Sequence, residues 1–247
     1  MSKNILLINP WIYDFAAYDF WLKPLGLLYL GGLLRANNHR ISYIDCLDPH
    51  STLMAKKIGK SPRRHAYGHG RLFRQVIDKP DSLQILPRNY CRYGIDPDVF
   101  RAELSHYPDT DVVLITSMMT YWYPGVFDAI KMIKETLPDV PVVLGGKYAT
   151  LCYDHAVIHS GADHVVCGRG EKQILQLLRD LFHEDVIFEP DEDNLDVLPY
   201  PAFDLIRKID QVPLITSIGC PYRCSYCSSH VLQKNFIYIE EYGVYRG

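Results

Sequence analysis

Short apolar runs alternate with longer segments of helical periodicity along most of this chain. The apolar runs are continuous, as in strands that are buried on both faces. They cover residues 5–8, 40–45, 111–116, 141–146 and 164–167. The helical segments cover residues 24–38, 126–137, 149–160 and 171–183. This alternation predicts an α/β fold with a doubly wound, five-stranded parallel sheet of the Rossmann-like kind.

The carboxyl ends of parallel strands are where such sheets bind ligands. That geometry predicts one crevice surrounded by residues 9–10, 116–120, 145–150 and 168–171. Glycines there permit close backbone approach, and helix amino termini favour a phosphate or another polar group. The G-x-G-x-x-G fingerprint does not follow the first strand, so we expect no nicotinamide cofactor. Taken alone, each glycine turn is better explained by the sterics of a strand-to-helix connection.

Composition narrows the classes of protein. The chain has 247 residues, of which 48% are hydrophobic and 22% charged, so we expect a packed core. The net charge of −3 gives no overall case for nucleic acid. The amino-terminal apolar run is too short for a signal peptide or a membrane span. We therefore expect a cytoplasmic protein with no membrane partner.

Three cysteines near the end of the chain carry the most specific signal. Cys220, Cys224 and Cys227 are spaced Cys-x3-Cys-x2-Cys after an apolar run, 213–217, that predicts a strand. Three thiolates can bind three irons of a [4Fe–4S] cube and leave the fourth iron open. A zinc site completed by His230 is a weaker alternative, because no second cysteine pair follows. The other four cysteines, Cys46, Cys91, Cys152 and Cys167, are interpreted as small buried residues.

This cysteine loop (residues 217–229) resembles the cluster motif of radical S-adenosylmethionine (radical SAM) enzymes. The spacing, the upstream strand and the aromatic Tyr226 before the third cysteine carry the resemblance. It implies that Cys220, Cys224 and Cys227 bind a [4Fe–4S] cluster whose free iron binds S-adenosylmethionine. It also implies that Tyr226 lies near the adenine and that an electron donor reduces the cluster.

Four motifs in the sheet region resemble the amino-terminal domain of cobalamin-dependent radical SAM proteins. They are residues 24–31, 42–45, 144–146 and 165–171. The resemblance covers about residues 3–185, and residues 189–205 resemble that family's connector. It implies that the loops after strands three to five enclose the nucleotide tail of cobalamin. The expected contacts are Ser117, Gly145, Gly146, Gly168 and Gly170.

The sequence departs from the pattern of known cobalamin domains at the position of the cobalt ligand. Cobalamin domains of mutases and methionine synthase carry Asp-x-His-x-x-Gly after the first strand, and its histidine ligates cobalt. Here residues 9–12 read Asn-Pro-Trp-Ile, and the similar Asp48-Pro49-His50 follows the second strand without the glycine. We predict cobalamin without a histidine ligand. The alternative that the domain keeps this fold but binds no cobalamin stays open.

Residues 49–107 do not fit a minimal doubly wound domain. Residues 49–77 contain no acidic residue and carry seven lysines and arginines, with His65 and His69. These residues form either an electropositive lid over an anionic group or a solvated insertion, and we favour the insertion. Nucleic acid binding is not expected, because no pattern of aromatic residues for base stacking accompanies the positive charge. The aromatic run 121–125 lines the crevice or packs in the core.

These observations divide the chain into a sheet domain (1–188, with a basic insertion at about 49–107), a connector (189–212) and a radical SAM fragment (213–247). We expect the parent enzyme to use radical chemistry to transfer a methyl group to an unactivated carbon of an unknown substrate. The alternatives are a radical SAM enzyme with an empty cobalamin-like domain and a cobalamin-binding module without activity. A complete radical SAM core needs further strand–helix units, so we expect a piece of a longer enzyme that is inactive alone.

Overall fold

The computed structural model describes residues 2–239. The strands are β1 (Asn4–Asn9), β2 (Ile12–Asp14), β3 (Arg40–Asp45), β4 (Arg74–Val76), β5 (Cys91–Tyr93), β6 (Val112–Ser117), β7 (Val142–Gly146), β8 (His164–Val165), β9 (Ser217–Ile218) and β10 (Ile237–Tyr238). The helices are α1 (Leu25–Ala36), α2 (Thr52–Ile58), α3 (Pro97–Leu104), α4 (Tyr123–Thr136), α5 (Lys147–Leu151), α6 (Tyr153–His159), α7 (Glu171–Phe182) and α8 (Ser229–Leu232).

The main sheet has five parallel strands in the order β3-β1-β6-β7-β8. The inner strand β1, between β3 and β6, is buried on both faces. Leu6 and Ile8 belong to one hydrophobic cluster with α3 and α4, whereas Ile5 and Leu7 belong to another with α1 and α7. Because successive side chains of a strand point to opposite faces, β1 contributes to both cores. The predicted doubly wound parallel sheet is confirmed.

A second, antiparallel sheet, with the order β2-β5-β4, joins the insertion to the main domain. The buried Trp11 explains the attachment: its indole Nε1 donates to the carbonyl of Ile95 at 2.7 Å, and its ring packs edge-on against Phe100 at 4.9 Å. Phe100 lies on α3, which Asp96 caps by accepting from the backbone N–H of Asp98. The carboxyl-terminal half of the insertion is thus part of the core and not a solvated loop.

The connector runs along α1. Its backbone carbonyl at Tyr200 lies so close to Gly32 that any Cβ there would overlap it. The N–H of Ala202 donates to the carbonyl of Leu28 at 3.0 Å, and the guanidinium of Arg35 binds both oxygens of Asp204 at 2.6 and 2.9 Å. These contacts fix the connector's direction.

Asn37 begins this attachment at the end of α1. Its side-chain oxygen accepts from the N–H groups of Ile187 and Phe188 at 2.8 and 2.9 Å, and its side-chain nitrogen donates to the carbonyl of Phe188 at 2.8 Å. Asn37 is buried, so these bonds replace contacts with water.

Three predicted elements differ from the structure. The helix predicted over 149–160 begins earlier and is interrupted at Cys152, whose backbone is not helical (φ −126°, ψ 45°). The strand predicted over 164–167 is shorter in the structure, where β8 contains only His164 and Val165. The strand predicted over 213–217 is wrong for residues 213–216, because only Ser217 and Ile218 pair, antiparallel with β10.

No helix among residues 2–239 has the length and apolar character needed to cross a membrane.

Candidate functional site

A cavity of about 470 Å³ lies at the carboxyl ends of β6 and β7. We call it the glycine-lined cavity, because Gly145, Gly146, Gly168 and Gly170 border it together with Ser117. Its volume falls within the range of about 300–1,000 Å³ that is typical of small-molecule sites. The five residues that sequence analysis selected are therefore brought together, while their contact with a ligand stays a prediction.

Gly145 and Gly146 are adjacent but have different physical reasons to be glycine. A Cβ on Gly145 would meet nothing within 4 Å, so its lack of a side chain leaves space open. Gly146 has φ +98°, and a Cβ there would overlap the carbonyl oxygen of Ser117. Gly146 is thus required by the backbone, whereas Gly145 affects what the cavity can hold.

Ser117 acts as a backbone support. It is buried, its hydroxyl donates to the carbonyl of Gly145 at 2.7 Å, and it accepts from the N–H of Ala149 at 3.3 Å. Thr150, which sequence analysis did not select individually, has a similar role. Its hydroxyl donates to the carbonyl of Gly146 and accepts from the N–H of Gly168, both at 2.9 Å. These two hydroxyls fix the glycine loops in position.

Sequence analysis gave the charged residues at the cavity no role of their own, although three of them lie in the ranges expected around the crevice. Lys23 and Lys147 border it, and Lys147 forms no ion pair with any of residues 2–239. Arg169 is neutralised locally, because its guanidinium binds the carboxylate of Glu171 at 2.8 Å. Glu171 opens α7, whose amino terminus adds a partial positive charge. The only sequence signal was the place of these residues at helix starts.

The connector and the segment that follows it close one side of the same cavity. Leu198, Ile215 and Ile218 border it, opposite Leu30 of α1 and the strand ends. Apolar side chains dominate this wall, so a flat or hydrophobic part of a ligand would be shielded from water there. Sequence analysis assigned these residues to separate regions.

The end of β1 does not border the cavity, although residues 9–10 were expected there. Asn9 is buried, and its side-chain nitrogen donates to the carboxylate of Asp45 at 2.7 Å. Burial raises the pKa of Asp45 despite the nearby charge of Lys23. His50 hydrogen-bonds to Asp210 at 3.1 Å through Nε2 and does not line the cavity. The absence of a histidine ligand to cobalt stays a prediction.

The aromatic run 121–125 packs beside the cavity and does not line it. The indole Nε1 of Trp122 donates to Asp14 at 2.9 Å, and the ring of Tyr123 stacks on Tyr148 with centroids 5.7 Å apart. Of the two interpretations left open, core packing therefore describes Trp122 and Tyr123.

The cysteine loop has a different character. Cys220 and Cys227 are half-buried, Cys224 is exposed, and the side chain of Tyr226 is almost fully in solvent. Within residues 2–239, no group of three or more His, Cys, Asp or Glu side chains is arranged to hold a metal ion. The structure thus assembles neither the predicted cluster site nor the alternative zinc site with His230.

One thiol of the loop is electrostatically distinct. The Sγ of Cys227 lies 3.2 Å from the hydroxyl oxygen of Ser229. Hydrogen bonds that the hydroxyl and the backbone N–H of Ser229 donate to the thiolate lower the pKa of Cys227. Its thiolate, the form that binds metals, is therefore favoured. Outside the loop, Cys46 and Cys91 are buried as predicted, whereas Cys152 is half-buried and Cys167 is exposed, which corrects the prediction for those two.

Comparisons with known proteins agree with the position of the cavity. Residues 90–178 match the model of the B12 binding domain family. An uncharacterized methyltransferase from Pyrococcus horikoshii is 32% identical over an alignment of 150 residues, which covers 49% of this chain and 32% of that protein. A second uncharacterized methyltransferase, from Synechocystis, is 26% identical over 154 residues, covering 60% of this chain and 28% of that protein. The chain thus spans about a third of the length of these relatives.

Among solved structures, a cobalamin-binding protein from Desulfitobacterium hafniense aligns with a TM-score of 0.37 and 11% identity, covering 72% of this chain and 58% of that one. The B12-binding match is the more informative finding, because residues 90–178 contain all five selected cavity residues.

Proposed function

We propose that the glycine-lined cavity binds the nucleotide part of cobalamin and that the chain belongs to an enzyme that transfers methyl groups. One observation carries the proposal: the match to the B12 binding domain covers residues 90–178, and these include Ser117, Gly145, Gly146, Gly168 and Gly170, which surround a single cavity. The methyltransferase names of the two relatives support the reaction class.

The chemistry of the lining fits this part of cobalamin. Lys23, Lys147 and the amino terminus of α7 provide positive charge for a phosphate. The open space at Gly145 and the apolar wall that includes Ile215 suit a flat, poorly hydrated ring. Cobalamin, when bound, supplies a cobalt centre that carries a methyl group. The residues of this chain bind the cofactor and exclude water from its tail.

Titration of the purified chain with hydroxocobalamin under anaerobic conditions tests the proposal. Gel filtration then separates free from bound cofactor, and the visible spectrum of the protein peak gives the stoichiometry. We expect close to one cobalamin per chain. A protein peak without cobalamin would contradict the proposal and would favour the alternative of an empty domain.

We further propose that Cys220, Cys224 and Cys227 bind a [4Fe–4S] cluster that takes S-adenosylmethionine, in a reducing compartment and with an external electron donor. The cysteine spacing and the lowered pKa of Cys227 support this. The thiols are not assembled in the structure, which is the usual condition of a metal site whose folding depends on its metal.

Anaerobic reconstitution with iron and sulfide tests the cluster. We expect about four irons and four sulfides per chain, and a broad thiolate-to-iron band in the visible spectrum. The variant with all three cysteines changed to serine should bind no cluster, whereas Cys167→Ser, which removes an exposed thiol elsewhere, should bind as much as the unmodified chain. Zinc without iron after purification would favour the zinc alternative.

A further inference from the structure

A second groove lies on the insertion side of the molecule. We call it the arginine groove; it has a volume of about 860 Å³ and shares no lining residue with the glycine-lined cavity. Three arginines line it, Arg71, Arg74 and Arg88, together with the aromatic rings of Phe15, Tyr18, Phe20 and Tyr93. No carboxylate is among the lining residues.

The positive charge of this groove is not neutralised from within. Among residues 2–239, neither Arg71, Arg74 nor Arg88 forms an ion pair, and residues 49–77 contain no acidic side chain. The charge of Arg74 acts to lower the pKa of the nearby Tyr93 hydroxyl, although burial raises that pKa overall. Three guanidinium groups without counter-charges give a local positive potential in a chain whose net charge is −3.

The carboxylate of Asp19 lies in the segment beside the groove, but it pairs with Arg64 and not with a groove arginine. Asp19 is buried and binds the guanidinium of Arg64, while its backbone exchanges two hydrogen bonds with Gly70 at 2.9 and 3.0 Å. Its side chain also accepts from the N–H of Leu22 at 2.8 Å. These bonds join the segment that carries Phe20 to the segment that carries Arg71. The two walls of the groove are therefore fixed before any ligand arrives.

An exposed ring stands beside these charges. Phe20 is 65% exposed, and its ring lies 4.6 Å from the ring of Tyr18 and nearly parallel to the imidazole of His69. A large apolar ring held at the surface provides a stacking platform for a flat ligand. The sequence shows only the charge of the insertion, because Phe20 lies about fifty positions before Arg71 and Arg74.

We infer that the arginine groove binds a nucleoside phosphate, with the arginines on the phosphate groups and the base stacked on Phe20. Guanidinium groups match phosphate geometry, and aromatic faces accept any base. The same chemistry is offered by a free nucleotide and by a nucleotide within a single strand. The groove volume lies within the range that holds a ligand of nucleotide size.

Calorimetric titration of the whole chain with four probes tests this inference: ADP, inorganic pyrophosphate, adenosine and a single strand of eight thymidines. We expect ADP to bind more tightly than pyrophosphate or adenosine, because only ADP engages both the arginines and Phe20. If the thymidine strand binds more tightly than ADP and loses affinity steeply with added salt, the ligand is a single-stranded nucleic acid. Otherwise the ligand is a free nucleotide. ADP binding no tighter than pyrophosphate would overturn the inference.

Matched variants locate the binding. Arg71→Gln and Arg88→Gln should each weaken ADP binding about tenfold, since each removes a charged hydrogen bond. Arg40→Gln removes an exposed arginine at the opposite end of the main sheet and should leave ADP affinity unchanged. An equal loss in Arg71→Gln and Arg40→Gln would indicate diffuse attraction and overturn the inference.

Three further variants separate the ring contact from the charges and from the other cavity. Phe20→Ala should weaken ADP but not pyrophosphate, and Phe20→Tyr should restore ADP binding. Gly145→Leu, in the glycine-lined cavity, should leave ADP affinity unchanged; a loss there would mean that ADP occupies that cavity and not the arginine groove.

Discussion

The glycine-lined cavity and the cysteine loop are candidate sites of the same chain, but they differ in how they are supported. The cavity is bordered by strands of a buried parallel sheet, and Ser117 and Thr150 fix its glycine turns by hydrogen bonds. The cysteine loop is preceded by a two-residue strand, and Cys224 and Tyr226 lie in solvent.

This difference indicates how each site depends on its cofactor. The sheet buries its apolar side chains whether or not a ligand is present, so the cavity exists in the chain alone. The thiols are not assembled by contacts of the chain itself, so a cluster would have to order them. Sheet variants should therefore change stability strongly, and loop variants hardly at all in the absence of iron.

The largest expected effect comes from Trp11→Ala. Trp11 is buried, packs on Phe100 and donates to Ile95, so its removal should lower the free energy of unfolding by about 3–5 kcal/mol. Urea unfolding followed by circular dichroism measures this. Without iron, the triple Cys→Ser variant of the loop should change stability by less than about 0.5 kcal/mol. Comparable losses in the two variants would remove the distinction between the regions.

A smaller loss is expected from Asn37→Ala, which leaves the N–H groups of Ile187 and Phe188 without their acceptor. We expect a loss of about 1–2 kcal/mol in the same urea experiment, because two partly buried backbone N–H groups lose their acceptor. Asn89→Ala is the control, because Asn89 is exposed and its side chain forms no hydrogen bond with any of residues 2–239; it should be neutral within about 0.5 kcal/mol. If Asn37→Ala is as neutral as Asn89→Ala, the segment that leads into the connector is not held by Asn37.

The smallest effect concerns pH and the pairing of β7 with β8. Burial acts to raise the pKa of Asp163, but its bonds to Lys134 and to the N–H of Val142 outweigh burial and lower the pKa overall. A carboxylate with a lowered pKa stabilises the fold above its unfolded pKa, and this contribution is lost as the pH falls through the folded value.

Asp163→Asn should therefore lower stability by about 1 kcal/mol at pH 7, since the ion pair is partly exposed to solvent. The difference from the unmodified chain should shrink as the pH falls below about 4. Urea midpoints at several pH values measure it. A difference that is constant with pH would mean that the Asp163 charge does not contribute.

Much of the sheet could be predicted, because its strands are short apolar runs whose pattern is local. The attachment of the insertion could not, since it depends on Trp11 meeting Ile95 and Phe100, more than eighty positions away. Likewise, Gly145 and Gly168 were selected because turn glycines are visible in sequence. Lys147 lay within the predicted crevice but was given no role, and Ile215 lay outside it, because only the fold brings the segment after the connector to the cavity.

The central claim is that cobalamin occupies the glycine-lined cavity, and the hydroxocobalamin affinity of Gly145→Leu tests it most directly. The new side chain would enter open space without backbone strain, so the fold should persist. Ala102→Leu adds a leucine at an exposed position of α3 and is the matched control. We predict that Gly145→Leu weakens binding by on the order of a hundredfold, about 3 kcal/mol, while Ala102→Leu binds like the unmodified chain. Equal, undiminished binding by both variants would contradict the account.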